Sequence, residues 1–371
     1  MNKVIHTPEG VRDIYGEEFD ERNELKRRMT EAIEAFGYKG VETPSIEFFD
    51  VFSKEIGTTP SKNLYRFFDR EGNTLSLRPD FTPGVCRLAA SHFSCEDGPQ
   101  RLTYSGNVFV NYLSYKGRLN ESNEIGAELL FDDSVDADCE VIAACCEALS
   151  MTGLSEFTIA LGHSDILRGL IRYGKLSEDE EIVKNYITNH NNYGLFEFLD
   201  EKGTDEAIRE IFELVLNHNE NSSFDERLLE LSKPYPLIRD GLKRLSDIYE
   251  LLKLYGVAIH VSIDPGLISR FSYYTGIIFT GFAFGTGEPV AAGGRYDELL
   301  KSFSSEGPAV GFALFTDEVY TALKSKKISL ARGRAEKVIE YSEEEKAGAI
   351  KEAMELRRSG TVVTIKRKCE E

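Results

Sequence analysis

Two short segments carry acidic, hydroxyl and tyrosine side chains at spacings that could bind a polar ligand. Residues 77–88 read LRPDFTPGVCRL, with Asp80 and Thr82 two positions apart, and residues 272–279 read SYYTGIIF. Tyr273 and Tyr274 alone would be ordinary strand aromatics. Together with Thr275-Gly276 beside them and with the first segment, they predict instead a pocket on which polar side chains converge.

Other residue types that could do chemistry lack the spacing which that chemistry needs. The histidines are scattered without metal-ligand spacing, so we expect no metal. The glycines near residue 290 form no phosphate-binding pattern and are interpreted as turns. The cysteines form no C-x-x-C pair, which predicts free, mostly buried thiols rather than disulfides or zinc ligands. These residues are His6, His92, His163, His190, His218, His260, Gly285, Gly287, Gly293, Gly294, Cys86, Cys95, Cys139, Cys145, Cys146 and Cys369.

The composition indicates a well-packed chain that is not specialised for binding nucleic acid. Of 371 residues, 41% are hydrophobic, which is enough for a substantial core and more than disordered chains contain. The net charge of -19 argues against RNA binding, which needs a positive surface, although a local basic patch would still be compatible with it. No signal-peptide pattern and no run of about 18 apolar residues occurs, so we expect a cytoplasmic protein without membrane contact.

Hydrophobic periodicity predicts a mixture of helices and strands in the first part of the chain. Residues 17–36 have apolar side chains at helical spacing, and Gly37 ends this helix. Residues 64–78 predict a hairpin around a turn at residues 71–73. Beyond it we predict one helix, at 135–151, and three strands, at 101–110, 123–131 and 156–162.

Residues 164–255 differ from the rest because strand signals vanish and helical signals replace them. Ser177 with Glu180 is a possible capping box in this segment, and Thr204 precedes a further helix. We therefore predict a helical insertion inside an α+β core.

After the insertion, strand patterns return before a short final module. The strand-rich stretches are 257–264, 272–284 and the first half of 307–323. A basic, polar linker at residues 324–334 precedes a single strand-helix-strand unit. We predict a core over residues 1–323 and a small C-terminal α/β module over residues 324–371.

Six segments, in this order along the chain, resemble class II aminoacyl-tRNA synthetases, and histidyl-tRNA synthetase most closely. The resemblance covers roughly residues 5–323 and implies an antiparallel sheet flanked by helices, normally dimeric through the second segment. The segments are TPEGVRDIYGEE (7–18), GVETPSIEFFDVF (40–52), LRPDFTPGVCRL (77–88), SYYTGIIF (272–279), AAGGRYDELL (291–300) and AVGFAL (309–314).

The resemblance implies a site that activates histidine with ATP, but the arginines of that chemistry are missing. Arginine forks hold phosphate and carboxylate groups and stabilise charge in the transition state. Alignment puts Val110, Ser269 and Glu318 at three arginine positions. Arg270 is one residue out of register, and on a strand it would point to the other face. We therefore interpret these positions as degenerate and predict no catalytic residue and no cofactor.

The same resemblance implies that the histidine-binding half of the site survives. Asp80 corresponds to a family glutamate toward the amino group and ring of histidine, and Glu124 to a glutamine at the amine. Arg118 matches a second-motif arginine. An imidazole with an ammonium group would suit such an acidic pocket. The implied effector-binding residues are Asp80, Thr82, Arg118, Glu124, Tyr273, Tyr274 and Tyr296.

This combination resembles the synthetase-like regulatory subunits of short-form ATP phosphoribosyltransferase. The stretch GFAFGTGEPVAAGGRYD, residues 281–297, is particularly similar to them. That family implies a hetero-oligomer with a catalytic subunit, feedback inhibition by free histidine in histidine biosynthesis, and no tRNA substrate. No phosphoribosyl pyrophosphate loop is found, so the transfer itself is assigned to the partner. A divergent histidyl-tRNA synthetase and a stand-alone histidine sensor remain alternatives; the missing arginines and the short final module argue against the first.

Overall fold

A mixed sheet of eight strands contains most of the strands that the sequence predicted. The computed structural model describes residues 5–53, 59–112, 118–218, 224–269, 273–330 and 336–368. Their strands are β1 (Lys39–Gly40), β2 (Ile46–Phe48), β3 (Arg66–Phe68), β4 (Thr74–Leu77), β5 (Gln100–Phe109), β6 (Glu121–Leu130), β7 (Phe157–His163), β8 (Val261–Ile263), β9 (Ile277–Ala283), β10 (Ala291–Arg295), β11 (Ala309–Phe315), β12 (Glu336–Tyr341) and β13 (Val362–Arg367).

The order of strands in the large sheet is β1-β5-β6-β11-β10-β9-β7-β8. Pairing is antiparallel throughout its middle and parallel only at the two edges, where β1 joins β5 and β8 joins β7. Parallel neighbours need a crossover connection, and β8 is reached from β7 through the helical segment of the chain. The α+β fold class predicted from the sequence is therefore confirmed, with a sheet that is mixed at its edges.

Helices flank this sheet, and α4 packs against its central strands β6 and β11. The Ser134 side chain accepts a hydrogen bond from Ala137 N and caps the start of α4. Most of the helix is buried, including Cys145 and Cys146. The helices are α1 (Gly16–Glu34), α2 (Asp50–Ser53), α3 (Thr82–His92), α4 (Val135–Ser150), α5 (Ser164–Tyr173), α6 (Glu180–Thr188), α7 (Asn192–Glu201), α8 (Glu206–Leu216), α9 (Glu226–Ser232), α10 (Pro236–Tyr255), α11 (Thr316–Ser325) and α12 (Lys346–Arg358).

The cysteines described are free, as the sequence predicted. Cys95 is exposed, and Cys369 lies outside the described residues. Burial raises the pKa of the Cys145 thiol, so this sulfur stays protonated and behaves as a small apolar group. The buried thiols are Cys86, Cys139, Cys145 and Cys146.

Two local predictions were wrong, each at the end of an element. Ser177 does not cap a helix: it starts a short 3-10 turn, and α6 begins at Glu180 without a side-chain cap. The helix predicted after Thr204 is confirmed as α8, and Asp205 caps it by accepting a hydrogen bond from Ala207 N. The predicted strand at residues 272–284 begins only at Ile277, which leaves the tyrosine pair in the preceding loop.

Between β7 and β8 the described chain is helical from α5 to α10. Close helix contacts here depend on glycine, because a Cβ on Gly169 would lie 2.7 Å from the Ile238 side chain. Gly256, at a φ of +77°, ends α10 in the left-handed conformation that glycine adopts most easily.

Asp138 ties the end of β10 and helix α10 to helix α4. The Asp138 carboxylate is fully buried and accepts from Arg295 at 2.7 and 2.9 Å through one oxygen. Its second oxygen accepts from Arg244 at 2.6 and 2.8 Å. Arg244 also donates to the carbonyls of Asp133 and Ser134. Two arginine forks on one buried carboxylate satisfy every oxygen lone pair that burial would otherwise leave unpaired.

A second sheet, in the order β2-β4-β3, exposes an apolar face. Ile46 and Phe48 on β2 are 50% and 58% exposed. Glu47 between them points the other way, is buried, and pairs with Arg87 at 2.7 Å. The side chains of Ile46 and Phe48 therefore point away from the core and that of Glu47 points toward it, as in a strand with one buried and one exposed face.

The chain divides into two compact units, Met1–Ile14 with Leu25–Ser329, and Tyr15–Glu24 with Leu330–Glu371. Helix α11 continues to Ser325, past the predicted domain boundary at residue 323. In the second unit β12 and β13 pair in parallel, and α12 covers them through a small core of Ile339, Ala349, Ala353 and Val363.

Among the described helices, none combines the length and the apolar character needed to cross a bilayer.

We expect Asp138→Ala to destabilise the fold by about 3–5 kcal/mol, because it leaves two arginines without their shared counter-ion, one of them buried. Urea unfolding followed by circular dichroism measures this loss. Asp200→Ala is the matched control, since its carboxylate pairs with Arg209 on the surface and should cost less than about 0.5 kcal/mol. Equal losses in the two variants would contradict the structural role of Asp138.

Candidate functional site

A cavity of about 720 Å³ lies over the central strands of the large sheet and collects the predicted pocket residues. All seven predicted ligand-binding residues line it. So do Val110 and Glu318, whereas Ser269 is not among the described lining residues and Arg270 lies outside the described chain. The seven are Asp80, Thr82, Arg118, Glu124, Tyr273, Tyr274 and Tyr296.

Glu128 is the central acid of the cavity, and the sequence reasoning missed it. Thr82 Oγ1 donates to one Glu128 oxygen at 2.8 Å, and Tyr104 Oη donates to the same oxygen at 3.3 Å. Tyr296 Oη donates to the other oxygen. A signal was present: Glu128 stands four residues after Glu124 on β6, so both point to the same face of the sheet.

Glycines on the neighbouring strands make room for this carboxylate. Gly311 on β11 faces Glu128 across the strand pair, and a Cβ there would lie 1.6 Å from Glu128 Oε2. Gly126 faces Tyr104, and a Cβ there would lie 2.3 Å from the Tyr104 hydroxyl. Both positions therefore exclude any larger residue while the acid and the tyrosine lie across the strands.

Burial disfavours the ionised form of the carboxyl groups in the cavity. It raises the pKa of Glu128 to about 7, against the opposing effect of the three hydroxyl donors. It also raises the pKa of Glu124 well above its usual range, and the nearby Asp80 carboxylate adds to this rise. A ligand cation entering the cavity would favour the ionised forms and would be attracted by them.

Arg78, from the same segment as Asp80, is a structural cation beside the cavity. Its Nε donates to Asn107 O at 2.8 Å and its Nη1 to Thr43 O at 2.7 Å. Its guanidinium also stacks over the Phe81 ring, 3.9 Å from the centroid. Its charge opposes, without cancelling, the rise that burial causes in the pKa of Glu124. The LRPD segment thus holds Asp80 at the cavity while its arginine supports the surrounding loops.

Three tyrosine rings pack against one another in the cavity, and one of them, Tyr296, contacts Glu128 through its hydroxyl group. The Tyr273 ring lies 4.6 Å from that of Tyr274 and meets Tyr296 edge-on at 5.8 Å. Tyr274 and Tyr296 are almost completely buried. Arg168 of α5 donates to the Tyr274 carbonyl at 3.4 Å, which links the helical segment to these tyrosines. An aromatic ring bearing an N–H group would find both ring partners and hydrogen-bond acceptors in this part of the cavity.

The other end of the cavity contains little free positive charge. Arg118 is the one cation among the described lining residues, and it pairs with Glu288 at 2.5 Å. Asp317 and Glu318 line the same end, and Val110 adds an apolar surface. Burial and the Glu288 carboxylate raise the pKa of Glu318. Within the described chain, no group of three or more histidine, cysteine or acidic side chains could hold a metal ion.

Comparison with known proteins identifies the family of this chain. The family model for histidyl-tRNA synthetase matches residues 10–319. A relative from Acetivibrio thermocellus, named ATP phosphoribosyltransferase regulatory subunit, is 33% identical over 97% of this chain and 86% of its own length. One of the same name from Caldanaerobacter subterraneus is 33% identical over 97% of this chain and 94% of its own. The chain belongs to the ATP phosphoribosyltransferase regulatory subunit family.

Solved structures agree with this family and with the class II synthetase fold. The chain superimposes with a TM-score of 0.85 on a Bacillus halodurans protein described as an ATP phosphoribosyltransferase regulatory subunit/histidyl-tRNA synthetase. The two are 29% identical, over 98% of this chain and 93% of the other. A Nostoc histidyl-tRNA synthetase, at 18% identity and a TM-score of 0.80 over 99% of this chain and 87% of its own, shares the fold.

We expect the stability difference between the wild type and Glu128→Gln to depend on pH. The folded pKa of Glu128, about 7, lies above the unfolded value of 4.5. Its contribution to stability is therefore complete below about pH 4.5 and is lost as the pH rises through about 7. Urea unfolding across this range should show the wild type losing about 3 kcal/mol relative to the variant. A difference that stays constant with pH would contradict the raised pKa.

Proposed function

We propose that this chain is the non-catalytic regulatory subunit of a short-form ATP phosphoribosyltransferase. In this role it is required for the activity of a catalytic partner and transmits feedback inhibition by histidine in the first step of histidine biosynthesis. The observation that carries the proposal is the asymmetry of the cavity. One half has buried acidic and tyrosine side chains, whereas the described residues of the other half include a single arginine, Arg118, which is paired with Glu288. The names of the relatives support the same assignment.

Free histidine fits the acidic half of the cavity group by group. Asp80 and Glu124 supply negative charge for the ammonium group. Glu128 accepts a hydrogen bond from an imidazole N–H, and the rings of Tyr273 and Tyr274 flank the ring. The pKa of Glu128, which is raised to about 7, lies close to the usual pKa of an imidazole, so both groups can exchange protons near neutral pH.

We also propose that the chain does not activate histidine and does not charge tRNA. Adenylation develops negative charge that must be held by fixed cations. Val110 offers none, Glu318 repels a phosphate, and the charge of Arg118 is balanced by Glu288. Histidine-dependent exchange of pyrophosphate into ATP by the purified chain would contradict this proposal.

Feedback requires that histidine bind one state of the complex better than another, since coupling between sites is a shared free energy. We expect Asp80→Ala to weaken histidine binding by about tenfold to a hundredfold, through the loss of a charge-assisted hydrogen bond. The concentration of histidine that half-inhibits the complex should rise by the same factor. The measurement is phosphoribosyl transfer by the chain co-purified with a catalytic subunit.

The matched control for this test is Asp247→Ala, which removes an acid paired with Lys243 outside the cavity and should keep the wild-type inhibition curve. If Asp80→Ala and Tyr274→Ala both leave inhibition unchanged, the effector site lies elsewhere. If the chain does not co-purify with the catalytic subunit or raise its activity, the regulatory assignment itself fails.

We further propose that the chain forms a dimer through the apolar face of the small sheet, around residues 41–52. Exposed apolar side chains on a flat strand favour association of two copies by a shared patch. We expect the wild type to sediment as a dimer at micromolar concentration and Phe48→Asp to sediment as a monomer. Phe284→Asp, which changes another exposed phenylalanine outside this face, should stay dimeric. A wild-type monomer would refute the dimer.

A further inference from the structure

The ion pair between Arg118 and Glu288 lies within the cavity. In this pair Glu288 binds the guanidinium group that could otherwise bind an anionic group of a ligand. Nε and Nη2 of Arg118 both donate to the same Glu288 oxygen, Nε at 3.1 Å. This pair is the main cause of the raised pKa of Arg118. Both side chains are about one third exposed, at 36% and 33%, so the pair can be reached from solvent and can be opened.

The Glu288 carboxylate is held close to the arginine by the sheet. Two residues later, Val290 N donates to Gly281 O at 2.8 Å, and Val290 O accepts from Phe315 N at 2.9 Å. Val290 is fully buried. Pro289 between them has a fixed φ and restricts the connection further. The Glu288 carboxylate therefore has less conformational freedom than it would have on a mobile loop, and it stays near the cavity.

Any ligand anion that enters this cavity meets the same electrostatic problem. The described lining residues offer one arginine and six carboxyl groups, those of Asp80, Glu124, Glu128, Glu288, Asp317 and Glu318. Among the described lining residues, Arg118 alone can neutralise a negative group of a ligand, and there the ligand must displace Glu288. Cationic groups of a ligand face no such competition.

We infer that Glu288 is a built-in counter-anion, which competes with the anionic group of a ligand for Arg118 and so selects ligands by their cationic half. The inference deepens the proposed histidine site and rests on it. The competing group can be the carboxylate of an amino acid or a phosphate, and both use the same fork. For histidine, this competition weakens binding. The chain therefore responds at higher histidine concentrations than it would if Arg118 had no carboxylate beside it.

The variant Glu288→Gln tests this competition because it removes the charge and keeps the shape of the side chain. Calorimetric titration of the full-length chain with histidine, histamine and inorganic pyrophosphate separates the cases. Histamine keeps the imidazole and the ammonium group but has no carboxylate. We expect histidine to bind the variant about three- to tenfold more tightly, as for the loss of a partly exposed ion pair, and the affinity for histamine to change by less than about twofold.

Two further variants control the test. Glu210→Gln also removes one arginine-paired acid, the partner of Arg227, but outside the cavity, and should leave all three affinities unchanged. The double variant Arg118→Gln, Glu288→Gln should lose the gain in affinity. A gain for histidine identifies the displaced anion as a carboxylate, and a gain for pyrophosphate identifies a phosphate; either result supports the competition.

The competition is refuted if neither anion binds Glu288→Gln more tightly than Glu210→Gln, or if histamine gains as much affinity as the anion that gains. It is also refuted if the double variant keeps the gain. A wild-type chain and variants that bind no histidine at all would instead refute the proposed effector site, and the pyrophosphate titration would still decide whether Glu288 competes for Arg118.

Discussion

The buried Glu128 carboxylate is the constraint around which the cavity is built. An acid removed from water destabilises the fold unless donors replace its hydration. Here the donors come from three separate elements: Thr82 opens α3, Tyr104 lies on β5, and Tyr296 follows β10. The start of α3, strand β5 and the end of β10 must therefore come together at one point, and the glycine opposite Glu128 leaves space for its carboxylate there.

The sequence predicted the architecture well because most of its signals are local. Strand alternation and helical spacing placed β5, β6 and α4 within a few residues of their observed bounds. The predicted pocket residues were found by motif, and they do line one cavity. Their partners were not predictable in the same way. Whether Arg118 is balanced by Glu288 depends on a contact between residues that are 170 positions apart, which no local pattern encodes.

The errors have the same origin. Ser177 and Glu180 have the composition of a capping box, yet Ser177 starts a 3-10 turn and α6 begins only at Glu180, without a side-chain cap. Glu128 is one of many glutamates in a chain with 63 acidic residues, so its type gives no hint of burial. Glu128 differs from the other glutamates in the hydroxyl groups that donate to it. These groups lie on other elements and come close to Glu128 only in the folded protein.

The close approach of strands β6 and β11 at Gly311 makes this position intolerant of a side chain for two separate reasons. A Cβ there would overlap the Glu128 carboxylate, and it would also lie 2.7 Å from the backbone oxygen of Ala127. Removing the glutamate would relieve only the first overlap, because the second depends on the spacing of the two backbones. Position 128 can therefore accept a smaller residue without any change at position 311, whereas a side chain at position 311 requires a shift of the backbone as well as the loss of the acid.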